Sequence, residues 1–292
     1  MKTRLTFLGT GTSQGVPIIG CRCPVCTSAD ERDKRFRSSV YVEFGGLNIL
    51  VDAGPDFRSQ MLRAGISHLD AILLTHNHKD HTGGLDDVRS LNYIDRKAVE
   101  IYCEPRVEET LRREYGYAFV ETKYPGAPEW HVHSIGEAPF EVASNDGYEL
   151  EWVHDVGYRY RPLDGPVPPP RKATVIPIRG WHGAMPVLGF RFGDIGYITD
   201  MNRLPEEELG KLQGLKHLTL NTVGYKTHHS HFSLDEALTL AGKIGAEHTW
   251  LTHLSHTFPT YAAFCEEIRQ RCTALGIRAD VQPAFDTLVI ED

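Results

Sequence analysis

The sequence predicts an α/β fold in which two similar halves pack face to face. Three observations predict it. Each half opens with strand-like runs and then alternates short apolar strands with amphipathic helices. The apolar strands end beside histidines or aspartates, which places ligands at strand ends. At 292 residues the chain is long enough to bury a sizeable core as one large domain, residues 1–292.

The first half begins with the strand-like runs "RLTFLG", "SVYVEF" and "LNILVDAG", the latter two joined by Gly45-Gly46, a hairpin signal. "FRSQMLRAG" has helical spacing and stops at a glycine. "DAILLTH" is a buried-strand run ending at a histidine cluster, and "GGLDDVRSLN" predicts a helix just beyond it. Strand "VEIYC" and helix "EPRVEETLRREYG" follow. The second half reads as strands "ATVIPI", "VLGFRF" and "IGYIT", helix "PEEELGKLQG", strand "HLTL" and helix "SLDEALTLAGKIG". Strand "HTWLTH", helix "TYAAFCEEIRQRCTALG" and strand "DTLVI" complete it. Between the halves, residues 118–172 carry the prolines and aromatics of "YPGAPEWHVH" and "RPLDGPVPPPRK", which predict a loop-rich insertion or lid.

Composition narrows the function classes. The chain is 41% hydrophobic and 24% charged, ordinary for a soluble globular protein. A net charge of −8 opposes extensive contact with a nucleic-acid backbone, which rewards a basic face. The N-terminal residues lack a signal-peptide apolar run, and no stretch reaches the roughly 20 apolar residues of a membrane span. A cytoplasmic protein with no membrane partner is therefore expected. Six cysteines are too few for a disulfide scaffold in a chain of this length.

Three of those cysteines, Cys21, Cys23 and Cys26, crowd into "GCRCPVC", residues 20–26 of a loop spanning 20–28. Three thiolates at this spacing can converge on one tetrahedral ion, which leaves a fourth ligand to be found. A redox Cys-x-x-Cys is the competing reading, but no thioredoxin-like βαβ context surrounds it. Cys103, Cys265 and Cys272 are scattered and read as buried small hydrophobes or incidental surface thiols.

The segment "LLTHNHKDHTGG" carries His76, His78, Asp80 and His81. Residues two apart on an extended segment point the same way, so His76 and His78 can grip one metal. Asp80 and His81 lie beyond the strand end and can turn to a neighbouring ion. These nitrogen and oxygen donors suit zinc, manganese and iron.

The H-x-H-x-D-H order resembles the signature of the metallo-β-lactamase superfamily of metal-dependent hydrolases. The resemblance continues through Asp52 in "ILVDAG", His182 in "RGWHGAMPVLGFRF", Asp200 in "IGYITD" and His253 in "WLTHLSH". It implies a four-layer αββα sandwich. It also implies one metal on His76, His78 and His182 and a second on Asp80, His81 and His253. Asp200 would bridge them, a hydroxide would take the other bridging position, and Asp52 would orient a ligating histidine. Two divalent ions, manganese or zinc with iron as a further option, are the expected cofactors.

The opening "GTGTSQGVPIIGCRCPVC" is similar to that of the phosphoribosyl 1,2-cyclic phosphate phosphodiesterases of the carbon–phosphorus lyase pathway. In that family the cysteine trio and a histidine placed like His256 hold a separate structural zinc. A histidine placed like His231, twenty-two residues before His253, is the family's proposed catalytic residue. Its implied role is to protonate the departing oxygen or to bind a phosphate oxygen. His228 and His229 are lesser candidates. The expected activity is metal-dependent hydrolysis of a small phosphodiester, a cyclic phosphoribosyl one included, with Asp80 and His231 indispensable.

The long interval between His81 and His182 leaves the phosphoribosyl substrate open. Competing readings are a tRNA 3′-end endonuclease, a thioesterase or lactonase, a pyrroloquinoline quinone biosynthesis protein, and a non-catalytic metal-binding scaffold. A homodimer is a further open expectation.

Overall fold

The structure, a computed structural model, describes residues 2–124, 126–154 and 156–292. Strands β1 (Arg4–Gly9), β2 (Ser39–Phe44) and β3 (Leu47–Val51) open the chain as an antiparallel meander. Helix α1 (Phe57–Ala64) leads to β4 (Ala71–Leu73). The one-turn α2 (Lys79–Thr82) and α3 (Arg89–Asp95) lead to β5 (Val99–Cys103), and α4 (Pro105–Glu114) to β6 (Trp130–Ser134). From β3 to β6 the strands run parallel.

Next come β7 (Phe140–Ala143), β8 (Tyr148–Val153) and β9 (Gly157–Pro162). The second half holds β10 (Lys172–His182), β11 (Met185–Phe192), β12 (Ile195–Tyr197) and β13 (His217–Asn221). It closes with α5 (Leu234–Ile244), β14 (His248–Thr252), α6 (Tyr261–Leu275), β15 (Asp280–Pro283) and β16 (Val289–Glu291).

Among the described residues these strands form two seven-stranded sheets, ordered β16-β1-β2-β3-β4-β5-β6 and β15-β14-β13-β12-β11-β10-β7, plus the hairpin β8–β9. Period-two alternation builds the layers. Along β3, Leu47, Ile49 and Val51 face the second sheet, while Leu50 turns to the helices. The sheet–sheet core joins Phe7, Val42 and Leu73 of the first sheet to Leu188, Phe190 and Tyr197 of the second. Outside it, Phe57, Leu91 and Leu111 of α1, α3 and α4 cover the first sheet. Leu238, Phe264 and Ile268 of α5 and α6 cover the second. This is the four-layer αββα sandwich, and it explains why the parallel strands read as unbroken apolar runs: both of their faces are buried.

Three expectations need correction. The run "PEEELGKLQG" forms a 3-10 stretch, Glu206–Leu212, rather than an α-helix, consistent with the low helix propensity of Gly210 inside it. "GGLDDVRSLN" splits into a 3-10 turn, Leu85–Val88, and α3.

Residues 118–172 are far less loop-rich than their prolines suggest. They contribute edge strands to both sheets and the β8–β9 hairpin, because "WHVHS", "YELEWV" and "GYRYRP" alternate aromatic or aliphatic residues with polar ones. The consecutive prolines lie in 168–170, after β9. The hairpin docks where β5 and β6 begin: Leu150 N–H donates to the Arg96 carbonyl (2.7 Å) and the Tyr160 ring stacks on His131 (5.5 Å). That end of the sheet is opposite the H-x-H-x-D-H turn, so the hairpin is a buttress there rather than a lid.

Helix α5, which follows the 228–231 histidines, is started by a reciprocal cap. Ser233 Oγ accepts from Glu236 N–H (3.4 Å), and the Glu236 carboxylate accepts from Ser233 N–H (2.8 Å). Ser233→Ala is expected to destabilise the protein by about 1 kcal/mol, read from the midpoint of denaturant unfolding.

Candidate metal centre

The functional side chains sit at the ends of strands near the seam between the sheets. Asp52 follows β3, His76 follows β4, Asp200 follows β12 and His253 follows β14. Asp52, Asp200 and His253 hold left-handed backbone, with φ of 64°, 57° and 58°. Each such non-glycine residue costs about 1–3 kcal/mol unless its surroundings fix it.

The surroundings do fix Asp52. Its carboxylate accepts from Thr75 N–H (2.9 Å), from Thr75 Oγ1 (2.8 Å) and from His81 Nδ1 (2.7 Å). The chain crosses itself here: Ala53 N–H donates to the His81 carbonyl and Gly84 N–H to the Ala53 carbonyl. A Cβ at Gly54 would collide with the Asp80 carbonyl oxygen and one at Gly84 with that of Gly54, so only glycine permits the crossing. Leu188 N–H of β11 donates to the Thr75 carbonyl (3.1 Å), tying the second sheet to the turn.

These bonds set the imidazole tautomers. The Thr75 hydroxyl gives its proton to Asp52, so it accepts from His76 Nδ1 (2.9 Å). His81 Nδ1 donates to Asp52, and His182 Nδ1 donates to the Asp200 carbonyl (3.1 Å). With Nδ1 engaged in this way, all three rings direct Nε2, the nitrogen left to bind metal, into the centre. His76 Nε2 and His81 Nε2 are buried without a hydrogen-bond partner and lie 3.7 and 3.3 Å from Asp200 Oδ2.

Asp80 Oδ2 is 3.3 Å from His81 Nε2. His253 instead turns Nδ1 to Asp200 Oδ1 (2.9 Å), with Ser38 Oγ also within 3.1 Å. Three sets of donor atoms lie within 4.8 Å of one another: His76, His81 and Asp200; His182, Asp200 and His231; Asp80, Asp200 and His253. His78 belongs to none of these sets. Its ring packs on His76 (4.7 Å) and His182 (5.0 Å), and the residue is exposed.

Electrostatics follow the crowding. Burial and the neighbouring His81 hold His76 well below the usual imidazole range. Burial alone would depress His81 too, but Asp200, Asp80 and Asp52 together hold it well above. Burial also opposes ionisation of Asp200 and Asp80, yet His253 and His81 keep Asp200, and His81 keeps Asp80, below the ordinary carboxylate value. Burial lowers His182 to about 4. The cluster thus gathers ionised carboxylates, neutral imidazoles at His76 and His182, and a His81 ring whose proton a cation would displace, the donor chemistry of a divalent-cation site.

His231 reaches the same place from the loop before α5. Its Nε2 is buried, has no hydrogen-bond partner and lies 3.5 Å from Asp200 Oδ2. Its ring stacks on His253 (4.7 Å) and stands edge-on to His182 (4.6 Å). Nδ1 lies 3.1 Å from Ser230 Oγ and 3.3 Å from His228 Nδ1. His229 is exposed.

The cysteine loop meets His256, as the sequence resemblance implies. Cys21, Cys23 and Cys26 Sγ lie 3.3, 3.5 and 3.6 Å from His256 Nδ1, and all four donor atoms fall within 4.8 Å of one another. The Cys26 N–H bonded to its sulfur pulls the Cys23 thiol down to about 6, whereas burial pushes Cys26 up to about 11. All six cysteines are free thiols. Three sulfurs and one nitrogen gathered this closely are a donor set that fits zinc.

Sequence reasoning missed two supports of this centre. Thr75, which couples Asp52 to His76, adjoins the signature and could have been found from its position. Ser38 gives no local signal, because it meets His253 from 215 residues away.

Comparison with known proteins agrees with this geometry. The profile of the Beta-lactamase superfamily domain matches residues 47–254. An octanoyltransferase of Porphyromonas gingivalis is 37% identical over 266 residues, covering 90% of this chain but 48% of that protein. The chain thus spans about half the length of that relative. It covers about a third of a coenzyme PQQ synthesis protein B of Methylobacterium radiotolerans, which is 36% identical over 100 residues. A ribonuclease Z of Streptomyces avermitilis is 28% identical over 87% of this chain and 91% of its own.

Among solved structures, a diphosphatase of the PhnP family superposes with a TM-score of 0.78 at 34% identity, covering 100% of this chain and 98% of that one. Zinc-bound PqqB from Methylobacterium extorquens reaches 0.65 at 18% identity, over 98% of this chain and 99% of that one, and shares the fold. With the matched domain spanning both sheets and the whole histidine–aspartate cluster, the chain belongs to the beta-lactamase superfamily.

Proposed function

We propose that the chain is a metal-dependent phosphodiesterase acting on a small phosphodiester. The observation that carries this reading is the set of buried, partnerless Nε2 atoms of His76, His81 and His231 gathered around the single carboxylate of Asp200. Buried polar atoms are ordinarily satisfied, so three orphans facing one acid call for a cation. The likeness to a diphosphatase of the PhnP family over the full chain supports phosphorus ester chemistry.

In this reading His76 and His182, with His78 turning in beside them, would hold one divalent ion, manganese or zinc. Asp80, His81 and His253 would hold the other, with Asp200 between the two groups. When bound, the pair supplies an acidified water and positive charge to offset that of the phosphate. Asp52 and Thr75 keep His81 and His76 in the ligating tautomer. His231, flanking Asp200 with Nδ1 backed by Ser230 and His228, is placed to hand a proton to the departing oxygen or to hold a phosphate oxygen.

The Cys21, Cys23, Cys26 and His256 set holds a structural zinc that staples the N-terminal loop to the segment carrying His253. Among the described residues no helix is long and apolar enough to cross a membrane.

One second reading has a specific observation behind it. Similarity to ribonuclease Z runs over most of both chains, which favours a tRNA 3′-end endonuclease. The net charge of −8 weighs against it, since an RNA substrate rewards a basic face. Cleavage of a tRNA precursor at rates above those for any small diester would establish that second reading instead.

Metal analysis combined with a bis-aryl phosphodiester assay tests the main reading. Asp80→Ala should fold, as judged by circular dichroism, while losing active-site metal and most turnover; unchanged turnover would remove Asp80 from the centre. His231→Ala, with metal content retained, should lose about 10²–10⁴-fold on diesters with poor leaving groups. It should lose far less on activated aryl esters. Cys23→Ser should release one equivalent of zinc and lower the melting temperature, and zinc content equal to the parent's would refute the structural site.

A further inference from the structure

The loop that carries His231 is fastened at both ends but hardly between them. At its start the Val223 carbonyl accepts from Ser255 Oγ (2.7 Å), and at its end Phe232 N–H donates to the Met201 carbonyl (2.9 Å). Among the described residues, one hydrogen bond reaches the backbone of residues 226–231 from outside the loop. It comes from Asn202, whose Nδ2 donates to the His229 carbonyl (2.9 Å).

The ring of His231 has little else to place it. The groups beside its Nδ1, Ser230 Oγ and His228 Nδ1, belong to the loop itself and move with it. Its Nε2 has no hydrogen-bond partner. Where the ring stands against Asp200 therefore depends on where the loop backbone is held.

Asn202 is well placed to hold it. Its own N–H donates to the Trp181 carbonyl (2.9 Å), and Trp181 N–H donates to the Arg203 carbonyl (2.9 Å). Just before it, Met201 is bracketed by the Asn221 amide, which accepts from its N–H and donates to its carbonyl, each at 2.9 Å. From this fixed stretch the Asn202 side chain spans two neighbours. Oδ1 accepts from Gly183 N–H (3.0 Å) while Nδ2 reaches His229. Only one orientation of the amide satisfies both, because Gly183 offers a donor and His229 an acceptor. Gly183 directly follows His182, and Asn202 closely follows Asp200. One amide thus joins the segments that deliver His182, Asp200 and His231.

On the reading that His231 gives a proton to the departing oxygen or holds a phosphate oxygen, we infer that Asn202 is its positioning residue. It fixes the backbone from which His231 is presented to the cluster. A proton donor works only within hydrogen-bond reach of its acceptor. A displacement of about 1 Å at such a group costs up to about 10²-fold in rate.

The test uses metal-loaded full-length protein. Asn202→Ala, with the parent's metal content, should lower kcat about 10- to 100-fold on diesters with poor leaving groups. KM should change little, and activated aryl esters should be spared. Added to His231→Ala, the same change should cost less than about twofold, because residues that act through one group are not additive. An equal loss in both backgrounds would mean that Asn202 acts through the metals or the fold, and would overturn the inference. Asn202→Asp keeps an acceptor for Gly183 but offers His229 no donor, so it should behave as Asn202→Ala does. It also carries the test if the alanine variant does not fold, and parent kinetics in it would overturn the inference.

A second readout is independent of turnover. In the zinc-loaded protein, backbone order parameters of residues 227–231 should fall in Asn202→Ala while those of α5 stay as in the parent. Unchanged order parameters in the loop would overturn the inference. The reading of His231 is judged separately. If the loop loosens in Asn202→Ala but His231→Ala keeps the parent's leaving-group dependence, the assignment of Asn202 to the loop stands and the role given to His231 falls.

Discussion

The structure turns on one buried carboxylate. Asp200 sits at the seam of the two sheets, fully enclosed, with four imidazoles from three separate segments directed at its carboxylate. An ionised carboxylate in such a place is unfavourable unless cations or donors surround it. The imidazoles, in turn, would be stranded without it. Every strand end that delivers one of these groups must therefore arrive together, and that requirement explains why the two halves pack with the ends of their parallel strands aligned. The left-handed backbone at Asp52, Asp200 and His253 records the same constraint locally.

The cysteine–histidine set is coupled to the histidine–aspartate cluster through the chain itself. His253 faces Asp200, and three residues later His256 faces the cysteine trio. Between them runs a single loop, which also meets the opening segment through the Leu254 N–H bonded to the Thr10 carbonyl (2.8 Å). Thr10 is anchored in turn by the buried Asp286 carboxylate, which accepts both its N–H and its hydroxyl.

Much of this was legible in the sequence because the informative residues are either close together or strand-terminal. The H-x-H-x-D-H run is local, and Asp52, Asp200 and His253 each end an apolar strand. The three cysteines leave a fourth position to fill, and it is the family resemblance, not spacing, that points to His256. What stayed hidden depends on distance or on competing signals. Ser38 reaches His253 only through the folded sheet, and no spacing announces it. In residues 118–172 the prolines and aromatics outweighed a weak strand alternation, so edge strands passed for a lid. Strand β15, with Asp280 at its start and Pro283 at its end, carries two residues that are poor strand formers and was not foreseen.

The two halves use the same device and give it different duties. After β3 and again after β12, an aspartate turns into left-handed backbone at the end of a strand. Asp52 is then met by three donors from Thr75 and His81, which satisfy its oxygens and leave it to hold rings in place. Asp200 is met on Oδ1 by Thr199 and His253, while its Oδ2 faces the Nε2 atoms of His76, His81 and His231, none of which makes a hydrogen bond. The two acids thus differ in what surrounds them: Asp52 has hydrogen-bond donors on both oxygens, whereas Asp200 Oδ2 has only ring nitrogens left without hydrogen-bond partners, and the Thr75 and Asp52 contacts orient two of those rings. An uncharged, hydrogen-bonding replacement at Asp52 would for this reason disturb the chemistry at Asp200 without touching it.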